Sequence, residues 1–455
     1  CKFNTFRKIH APEILLEPLI ACIICFLSSV SLFAYDLEVE GIYYNANIEK
    51  MELTVTSGDI PYSGTMSIPE SVEYKGRTFS VVEIGRGAFE NSSIENIKVP
   101  GSIKSIGYDA FQGCTNLKEV KLSDGLTRID DSFRECSSLT EISIPSTVRS
   151  ISEYAFWNTG LTKLIIEDGE QELGLGAYGS SGGSGWSPFE FTKLEYVYIG
   201  RTLDFWNAEY GPFNRTEVTE AVIGPLVESL PDYCFANLDI KQLTIPAGVK
   251  KIGRSCLRNE YLEKLRIEDS DQPLYWSLYS NLPNLKELYY GRNLTIEKYN
   301  TAFSECTKLM TLSIGENVTD FYSVRFAGDL QTVYNYAEIP AILSQSPFNS
   351  RTFLNATLFV PCGSVDAYSK AEVWKNFWEI KEWDSSGISD VLSNDIEIKA
   401  IPRGIICSSG GLINVFSING VKVYSSSAVS GESITLDCGL YVVQYGNITK
   451  KIVVR

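Results

Sequence analysis

The chain almost lacks histidine. Its 455 residues contain one, His10, in the N-terminal segment. Histidine is the commonest general base at neutral pH and a common zinc ligand, so its absence elsewhere excludes Ser-His-Asp and Cys-His catalysis and histidine-ligated zinc there. Asp and Glu are plentiful, but their spacing singles out no catalytic pair. We therefore expect a protein that is not an enzyme, with no catalytic residues, no cofactor and no metal site.

Basic residues are too few to balance the acidic ones. Lys and Arg number 40 against 56 Asp and Glu, which gives a formal net charge of −16. Nucleic acids and anionic membrane surfaces both bind proteins through a basic face. The charge therefore argues against a nucleic-acid partner and against binding to anionic membranes.

The apolar run at residues 19–34 is too short for a membrane span, because it has 16 residues and a spanning helix needs about 20. It follows basic residues and ends at the small Ala34, which is the order typical of a secretory signal peptide. We expect residues 1–34 to be removed on export, which makes the protein extracellular or attached to a bacterial cell surface. A lipid anchor at Cys22 is the alternative, since Leu19-Ile-Ala-Cys22 resembles a lipoprotein cleavage box.

What the chain does contain is a repeat of 22 to 23 residues. The segments IGRGAF, IGYDAF, IDDSF and ISEYAF end at Phe89, Phe111, Phe133 and Phe156. Alternating strand-like segments such as LKEVKL and LTEISIP lie between them. A fixed period in this range is typical of a solenoid, in which each turn buries its apolar face against the next. We predict one curved solenoid of short parallel strands with about a dozen turns.

The repeat resembles the BspA-like, Treponema-type class of leucine-rich repeat. The segment IPSTVRSISEYAF at 144–156 follows its pattern I-P-x-x-V-x-x-I-G-x-x-A-F, and FQGCTNLKEV at 111–120 follows its C-x-x-L link. The resemblance implies a leucine-rich repeat solenoid and a surface protein that acts in adhesion or protein binding.

The pattern also divides the chain. Residues 35–80 are predicted to form a β-rich N-terminal cap and first turn, and residues 81–383 the array with its C-terminal cap, which is helical over 365–377. Residues 384–395 read as a polar linker. The insert at 174–185 contains G-x-G-x-x-G but lacks the following helix that a dinucleotide site requires. KLEYVYIGR (193–201) and NLKELYYGR (284–292) suggest that a block of four turns was duplicated.

Residues 396–455 differ in character from the repeats. Short alternating segments separated by Gly and Asn-Gly turns predict a small all-β sandwich. FSINGVKVY (416–424) and DCGLYVVQYG (437–446) resemble the C-terminal sorting domains that Bacteroidota use with the type IX secretion system. The resemblance implies that this domain engages the secretion machinery. Cys407 and Cys438 within it are candidates for a disulfide.

Two further features bear on metal or disulfide chemistry. Cys114 and Cys136 are one repeat apart, as are Cys234 and Cys256, so each pair would stack in a column about 4.8 Å apart. We favour buried thiols over a disulfide or metal ladder, because unpaired cysteine is often buried. The acidic segments 166–172 and 267–272 lack the ligand spacing of a calcium loop and are interpreted as solvated turns.

A ligand is expected on the outward positions of the strands. In the first half these positions hold residues such as Lys98 and Lys121, whereas the second half is aromatic. The candidate ligand-binding residues are Tyr198, Arg266, Tyr289 and Tyr334. Tyr and Arg are enriched where proteins anchor on partners, although Tyr also suits any strand. Two hypotheses compete: binding to proteins of a host matrix or of neighbouring cells, and glycan capture with the tyrosines as stacking platforms. An inert surface-layer spacer is a third option.

Overall fold

The structure is a computed structural model. It describes residues 35–176, 186–205, 207, 209–277, 281–296 and 301–383, and in the C-terminal part residues 398–401, 404–407, 411–417, 422–428, 433–436, 439–445 and 448–454. Several predictions concern residues outside these ranges: the signal peptide at 1–34, most of the insert at 174–185, and the linker at 384–395. The side chains of Cys407 and Cys438 also lie outside the described part.

The described chain begins with six strands that lead into the repeats. They are β1 (Leu37–Val39), β2 (Ile42–Asn47), β3 (Glu52–Thr56), β4 (Ser63–Ser67), β5 (Ser71–Tyr74) and β6 (Arg77–Ile84). Strands β1, β2 and β3 are antiparallel neighbours, and β3 then pairs in parallel with β6. Strand β4 pairs in parallel with the first strand of the next turn, where Met66 lies opposite Ile97. The change from antiparallel to parallel pairing therefore takes place between β3 and β6.

The repeats alternate a longer strand with a strand of two or three residues. In chain order they are β7 (Ser93–Val99), β8 (Ser105–Ile106), β9 (Glu119–Leu122), β10 (Arg128–Ile129), β11 (Glu141–Ile144), β12 (Ser150–Ile151), β13 (Lys163–Ile166), β14 (Leu173–Leu175), β15 (Tyr196–Ile199), β16 (Leu203–Asp204), β17 (Glu220–Ile223), β18 (Ser229–Leu230), β19 (Gln242–Ile245), β20 (Lys251–Ile252), β21 (Lys264–Ile267), β22 (Leu274–Trp276), β23 (Glu287–Tyr290), β24 (Leu294–Ile296), β25 (Thr311–Ile314), β26 (Thr332–Asn335), β27 (Thr357–Val360) and β28 (Glu379–Glu382). The result is a parallel β-solenoid of about a dozen turns with almost no helix, as the period predicts.

The four-residue strands form the front of the solenoid in the predicted register. Leu164 lies opposite Val197 although the insert separates them in the chain. Leu265 lies opposite Leu288, which in turn lies opposite Leu312. In most of these strands the second and fourth residues are buried and the third is half-buried, because successive side chains of a strand point to opposite faces.

The short strands form a second parallel column that the sequence did not predict as strands. Arg128 lies between Ser105 and Ser150, and Ile129 between Ile106 and Ile151. Each strand was recognised only as an apolar pair that closes the turn, because two residues are too few to show a period. Each turn therefore has a front strand, a corner and a back strand.

The core between front and back contains a column of phenylalanines. The rings of Phe89, Phe111 and Phe133 stack at centroid distances of 4.9 Å, and the next step, to Phe156, is 5.3 Å. The column continues through Phe189 and Phe213 with spacings that widen to 6.0 Å. All six side chains are almost completely buried. The predicted role of the repeated Phe as the filler of the core is confirmed.

The hydrogen-bonded columns are interrupted near the middle of the solenoid. One back sheet ends at β16 and the next begins at β18, while the front sheet that contains β15 ends at β17 and the next begins at β19. The continuous stack of phenylalanines that begins at Phe89 also ends at Phe213, and a second stack of Phe303, Phe326 and Phe348 follows later in the described chain. Three kinds of contact between neighbouring turns therefore stop at nearly the same place.

The cysteine columns contain free thiols. Cys114, Cys136, Cys234, Cys256 and Cys306 are unpaired and buried, as the sequence indicated, and Cys362 is unpaired and exposed. The Cys136 thiol donates to the carbonyl oxygen of Phe111 at 3.1 Å, and the Cys114 thiol does the same to Phe89 at 2.9 Å. These thiols are hydrogen-bond donors to the backbone of the preceding turn, which accounts for a small polar residue at this position.

The C-terminal end of the array carries the helices. They are α1 (Ser350–Asn355), α2 (Val365–Lys370) and a 3-10 helix at Trp374–Asn376. The helical prediction for 365–377 is confirmed in part, because Val373 has a positive φ of 70° and separates the last two elements. Helix α1 was not predicted; its N-cap Asn349 accepts a hydrogen bond from the Thr352 amide at 2.9 Å. The Trp374 ring is buried and packs 5.7 Å from Phe348.

The C-terminal residues form seven antiparallel strands: β29 (Ile398–Ile401), β30 (Gly404–Cys407), β31 (Gly411–Ser417), β32 (Lys422–Ala428), β33 (Ser433–Thr435), β34 (Gly439–Tyr445) and β35 (Ile448–Val454). They make two sheets, in the orders β29-β30-β33 and β32-β31-β34-β35. Ile405 and Ile434 of the first sheet share a buried cluster with Ile413, Val415 and Val443 of the second. This is the small β domain predicted from the alternating pattern, with β30 as a strand that the pattern missed.

Candidate functional site

The four candidate residues lie where the register predicts them, on the outer side of front strands. Tyr198 is on β15, Arg266 on β21, Tyr289 on β23 and Tyr334 on β26, and each is half-buried between buried neighbours. Arg266 lies directly opposite Tyr289, and Ser313 separates Tyr289 from Tyr334. The structure brings these three together.

Tyr198 does not belong to this group. Val222 and Thr244 occupy the two outward positions between it and Arg266. Adjacent strands are about 4.8 Å apart, so four steps place Tyr198 roughly 19 Å from Tyr289 along the solenoid, whereas two steps place Tyr334 roughly 10 Å from it. The predicted stripe is therefore one cluster and one separate tyrosine.

Arg266 and Tyr289 form a stacked pair. The guanidinium carbon of Arg266 lies 3.9 Å from the centre of the Tyr289 ring, a close cation–π contact. The Tyr289 hydroxyl donates to the carboxylate of Asp269, whose two oxygens lie 2.9 and 2.8 Å away. Burial, followed by the negative charge of Asp269, raises the pKa of Tyr289 well above its ordinary value. The ring is thus fixed at both its face and its hydroxyl.

Tyr336 completes this arrangement and was missed by the sequence analysis. Its ring centroid lies 5.8 Å from that of Tyr289 at an interplanar angle of 59°. It follows β26, whereas Arg266 precedes Tyr289 along the solenoid, so the two lie on opposite sides of Tyr289. Tyr336 escaped notice because it is one residue beyond the end of a strand. We call Arg266, Asp269, Tyr289, Tyr334 and Tyr336 the strand-face cluster.

The same tyrosine–aspartate contact occurs earlier in the solenoid. The Tyr198 hydroxyl donates to Asp168 at 2.7 Å. Burial, followed by this hydrogen bond, raises the pKa of Tyr198 to about 12. A Cβ atom on Gly224 of the next turn would lie 2.8 Å from the Asp168 carboxylate and 2.9 Å from the Tyr198 hydroxyl, so this close approach requires glycine.

The interpretation of the acidic segments as solvated turns was therefore incomplete, because Asp168 and Asp269 each accept a tyrosine hydroxyl. The repeated letters I-E-D at 166–168 and 267–269, each followed one turn later by Y-x-G-R or Y-Y-G-R, were the available signal. Spacing alone did not reveal it, since the partners are 20 to 30 residues apart.

Each tyrosine is followed by a buried arginine. The Arg201 guanidinium donates to the carbonyl oxygens of Ser146 and Val148 at 2.5 and 2.8 Å, and Arg292 donates to Ala247 at 2.9 Å. Both side chains are almost completely inaccessible to solvent. Burial lowers the pKa of Arg201 to about 10. The two predicted copies of the block therefore share the tyrosine, the aspartate and the buried arginine.

The two copies differ on the outer face. The residue opposite Tyr198 on the preceding strand is Ile165, whereas the residue opposite Tyr289 is Arg266. Only the second copy thus combines the tyrosine–aspartate contact with a stacked arginine. Because the first copy keeps its contact without an arginine, Arg266 is not required to build the turn.

A family model identifies the repeat. The model described as the BspA type leucine rich repeat region matches residues 70–182 and 208–332, in six copies, which is just over half of the chain. The chain belongs to the BspA-type leucine-rich repeat family. The second matched range includes Arg266 and Tyr289, whereas Tyr198 lies between the two matched ranges and Tyr334 lies just beyond the second.

The chain is similar to several solved leucine-rich repeat proteins. A leucine-rich repeat protein from Bacteroides ovatus is 19% identical, with 77% of this chain and 100% of that chain covered and a TM-score of 0.34. The Treponema pallidum leucine rich repeat protein is 20% identical over 50% of this chain and 89% of its own, also with a TM-score of 0.34. A leucine rich cell surface protein from Faecalibacterium prausnitzii is 16% identical over 76% and 94%, with a TM-score of 0.30. The family assignment rests on the family model, because similarity at this level does not by itself establish a relationship. No curated protein matches the chain.

Three properties of the described BspA-type solenoid bear on its chemistry. In the part that the structure describes, no group of three or more His, Cys, Asp or Glu side chains could hold a metal ion. The described helices are too short or too polar to cross a membrane. Burial raises the pKa of the Cys114 and Cys136 thiols, which keeps them as unreactive thiols at neutral pH. The strand-face cluster places tyrosine rings and a guanidinium on the outer side of the front strands.

Proposed function

We propose that this protein is a secreted or cell-surface leucine-rich repeat protein that binds other proteins through its front strands, with the strand-face cluster as the anchor. The observation that carries the proposal is the grouping of Arg266, Tyr289, Tyr334 and Tyr336 on one face of a solenoid whose other outward positions are mostly small or charged. Tyr and Arg carry a large share of binding energy at protein interfaces. Adhesion to a host matrix or to neighbouring cells is the biological role that such a face suits.

A protein partner fits the cluster better than a glycan does. Sugar rings bind aromatic side chains by stacking on a free ring face, and Tyr289 has Arg266 on one side and Tyr336 on the other. Its hydroxyl is also occupied by Asp269. Tyr289 therefore offers little free ring face to a sugar, which favours a protein partner at this residue, and glycan capture is the alternative that the experiment must separate.

Exposure at the cell surface is supported by two independent features. Residues 1–34 have the order of regions found in signal peptides, and one similar structure is that of a cell surface protein. The C-terminal β domain provides a route of export to the cell surface, because its sequence resembles sorting domains. We propose that residues 396–455 engage the secretion machinery and take no part in ligand binding.

The binding proposal is tested with the full chain on an array of host-matrix proteins and on a glycan array. Tyr334→Ala should weaken binding to the protein hit by about 2 kcal/mol or more, roughly 30-fold in Kd. Lys98→Ala is the matched control, because Lys98 is exposed on the same face in the first half and should matter little. Melting temperature checks that both variants stay folded.

Three results would contradict the proposal. Binding that is lost with Lys98→Ala but kept with Tyr334→Ala would place the site in the first half of the solenoid. Binding only on the glycan array would support the alternative. A chain that lacks 396–455 and still reaches the cell surface in normal amounts would show that the C-terminal domain is not a sorting domain; our expectation is that it stays in the periplasm.

A further inference from the structure

Arg266 is held in one orientation but its donors are unused. Its guanidinium lies 3.9 Å from the centre of the Tyr289 ring. Within the part of the chain that the structure describes, no hydrogen bond or ion pair engages this guanidinium. An arginine carries five N–H donors in a fixed planar fork and always keeps its charge. A stacked guanidinium of this kind can donate hydrogen bonds to an acceptor group from outside the chain.

The acidic residues around Arg266 are engaged by other groups. Both oxygens of Asp269 lie within hydrogen-bond distance of the Tyr289 hydroxyl. Glu287, on the strand next to Arg266, pairs with Lys264 at 3.0 Å, and the Glu268 carboxylate accepts the amide of Ala247 at 3.0 Å. Among the residues that the structure describes, Arg266 therefore makes no direct ion pair with these carboxylates.

The duplicated block shows that the fold does not require this arginine. In the first copy Ile165 occupies the equivalent position beside Tyr198, and the tyrosine–aspartate contact still forms at 2.7 Å. The second copy has Arg266 beside Tyr289 and adds Tyr336 on the far side. A half-buried charge on the outer face that the equivalent turn lacks points to a role outside folding.

We propose that Arg266 binds a carboxylate of the protein partner, an Asp or Glu side chain or a chain terminus, through two parallel N–H to oxygen hydrogen bonds. This inference rests on the proposed function and specifies what the partner must present. Arginine and carboxylate groups match in geometry and form strong paired hydrogen bonds. A highly charged anion fits less well, because the net charge of −16 repels it. The partner must therefore present one isolated acid to Arg266.

The test uses displayed peptides as the probe, because the natural partner is unidentified. Random peptides on phage are selected on the immobilised full chain and, in parallel, on Arg266→Ile, which copies the residue at position 165. Peptides selected on the wild type should share an Asp or Glu at a recurrent position, and those selected on Arg266→Ile should not. The melting temperature of Arg266→Ile should stay close to that of the wild type, since isoleucine already occupies the equivalent position.

Calorimetry on one selected peptide and its amide twin, with Glu changed to Gln or Asp to Asn, then measures the contact. For the wild type the twin should bind roughly 10- to 150-fold more weakly, the range expected for hydrogen bonds to a charged group. Arg266→Ile should bind both peptides equally weakly. Arg266→Lys should recover only part of the loss, because an ammonium group cannot form two parallel hydrogen bonds.

The outcomes separate this inference from the proposed function. If the wild type binds both twins equally, or if Arg266→Ile binds the acidic peptide as tightly as the wild type, the carboxylate inference is overturned. The proposed function then stands provided that Tyr334→Ala still weakens binding. If neither Arg266→Ile nor Tyr334→Ala changes the affinity, the peptides bind elsewhere, and both the inference and the proposed binding face are wrong.

Discussion

Arg201 donates a hydrogen bond of 2.8 Å to the main-chain carbonyl oxygen of Pro145, two turns earlier in the solenoid. Arg292 makes the same contact with Pro246, also at 2.8 Å. In both cases the arginine skips the intervening turn, in which an acidic segment replaces the apolar residue found in the corner of ordinary turns. The guanidinium fills the space left in the core and satisfies carbonyl groups that have no strand partner.

Replacement of Arg201 by methionine should lower the free energy of unfolding by about 3 kcal/mol. The methionine fills much of the volume but leaves buried carbonyl oxygens without donors, and each such group costs about 1–3 kcal/mol. Urea denaturation gives the value. Arg86→Met is the matched control, because the Arg86 side chain is 80% exposed, and it should change the free energy by no more than about 0.5 kcal/mol. A similar small effect for Arg201→Met would show that water replaces its hydrogen bonds.

Phe111→Ala should destabilise the solenoid by about 3–5 kcal/mol, the usual loss for a buried phenylalanine. The ring stacks at 4.9 Å on a phenylalanine on each side, so its removal affects three turns. Tyr108→Ala, three residues away and 54% exposed, provides the comparison and should cost far less. Equal losses for the two variants in urea denaturation would contradict the assignment of the phenylalanine column to the core.

Tyr289→Phe removes one hydroxyl and keeps the ring under Arg266. Since that hydroxyl donates to a carboxylate at 2.8 Å, its loss should lower the free energy of unfolding by roughly 1.5–3 kcal/mol, the value for hydrogen bonds to charged groups. Tyr198→Phe should cost less, because its contact with Asp168 lies in a more exposed place. Thermal denaturation ranks the variants, with Tyr108→Phe as the control that should be neutral. A larger loss of stability for Tyr198→Phe than for Tyr289→Phe would contradict the assignment of the stronger tyrosine–aspartate contact to the second copy.

The Asp131 carboxyl should make the stability of the folded chain depend on pH. Burial raises the pKa of this carboxyl to about 6, with smaller increases from Asp109 and Asp130 and a decrease from Arg134. In the unfolded chain the pKa is about 3.9, so between pH 4 and pH 6 the folded chain binds a proton that the unfolded chain does not. The contribution to stability is therefore fully present below about pH 4 and is lost as the pH rises through 6.

Asp131→Asn should abolish this dependence. The variant should gain about 1–3 kcal/mol in free energy of unfolding relative to the wild type between pH 4 and pH 7, since one pKa unit corresponds to about 1.4 kcal/mol. Asp329→Asn, a change of the same kind at a side chain that is 68% exposed, is the control. If Asp131→Asn and the wild type differ in free energy of unfolding by the same amount at pH 4 and at pH 7, the Asp131 carboxyl titrates alike in the folded and unfolded chain.

The front strands were predictable because their signal is local and repeated. The alternation around Leu164 and Val197 determines which side chains point inward. The pairing of these two residues was therefore predicted correctly although the insert separates them. The Phe column was equally accessible, since a large residue at a fixed place in each turn can only stack on its copies. These features depend on the period, which the sequence displays directly.

The site itself was only partly predictable. Arg266 and Tyr289 were identified because they occupy outward positions, but their stacking and the role of Asp269 depend on contacts between different turns. Tyr336 lies beyond the strand, where alternation gives no information about direction. The burial of Arg201 and Arg292 was not predicted, because charged side chains are normally exposed. These two are buried because they donate to carbonyl oxygens of a turn two repeats away, which their own sequence positions do not reveal.

The interruption between β16 and β18 and between β17 and β19 has a consequence for how the solenoid unfolds. In a linear array each turn is stabilised by its immediate neighbours, so cooperativity is transmitted only as far as the coupling between turns extends. The front column is also interrupted between β9 and β11, but the back column and the phenylalanine stack continue across that point. Because both hydrogen-bonded columns and the phenylalanine stack end at nearly the same turn near the middle, we expect the weakest coupling there, with one cooperative segment on each side. Amide hydrogen exchange would then report two protection levels, and the second segment, which carries the strand-face cluster, would open independently of the first.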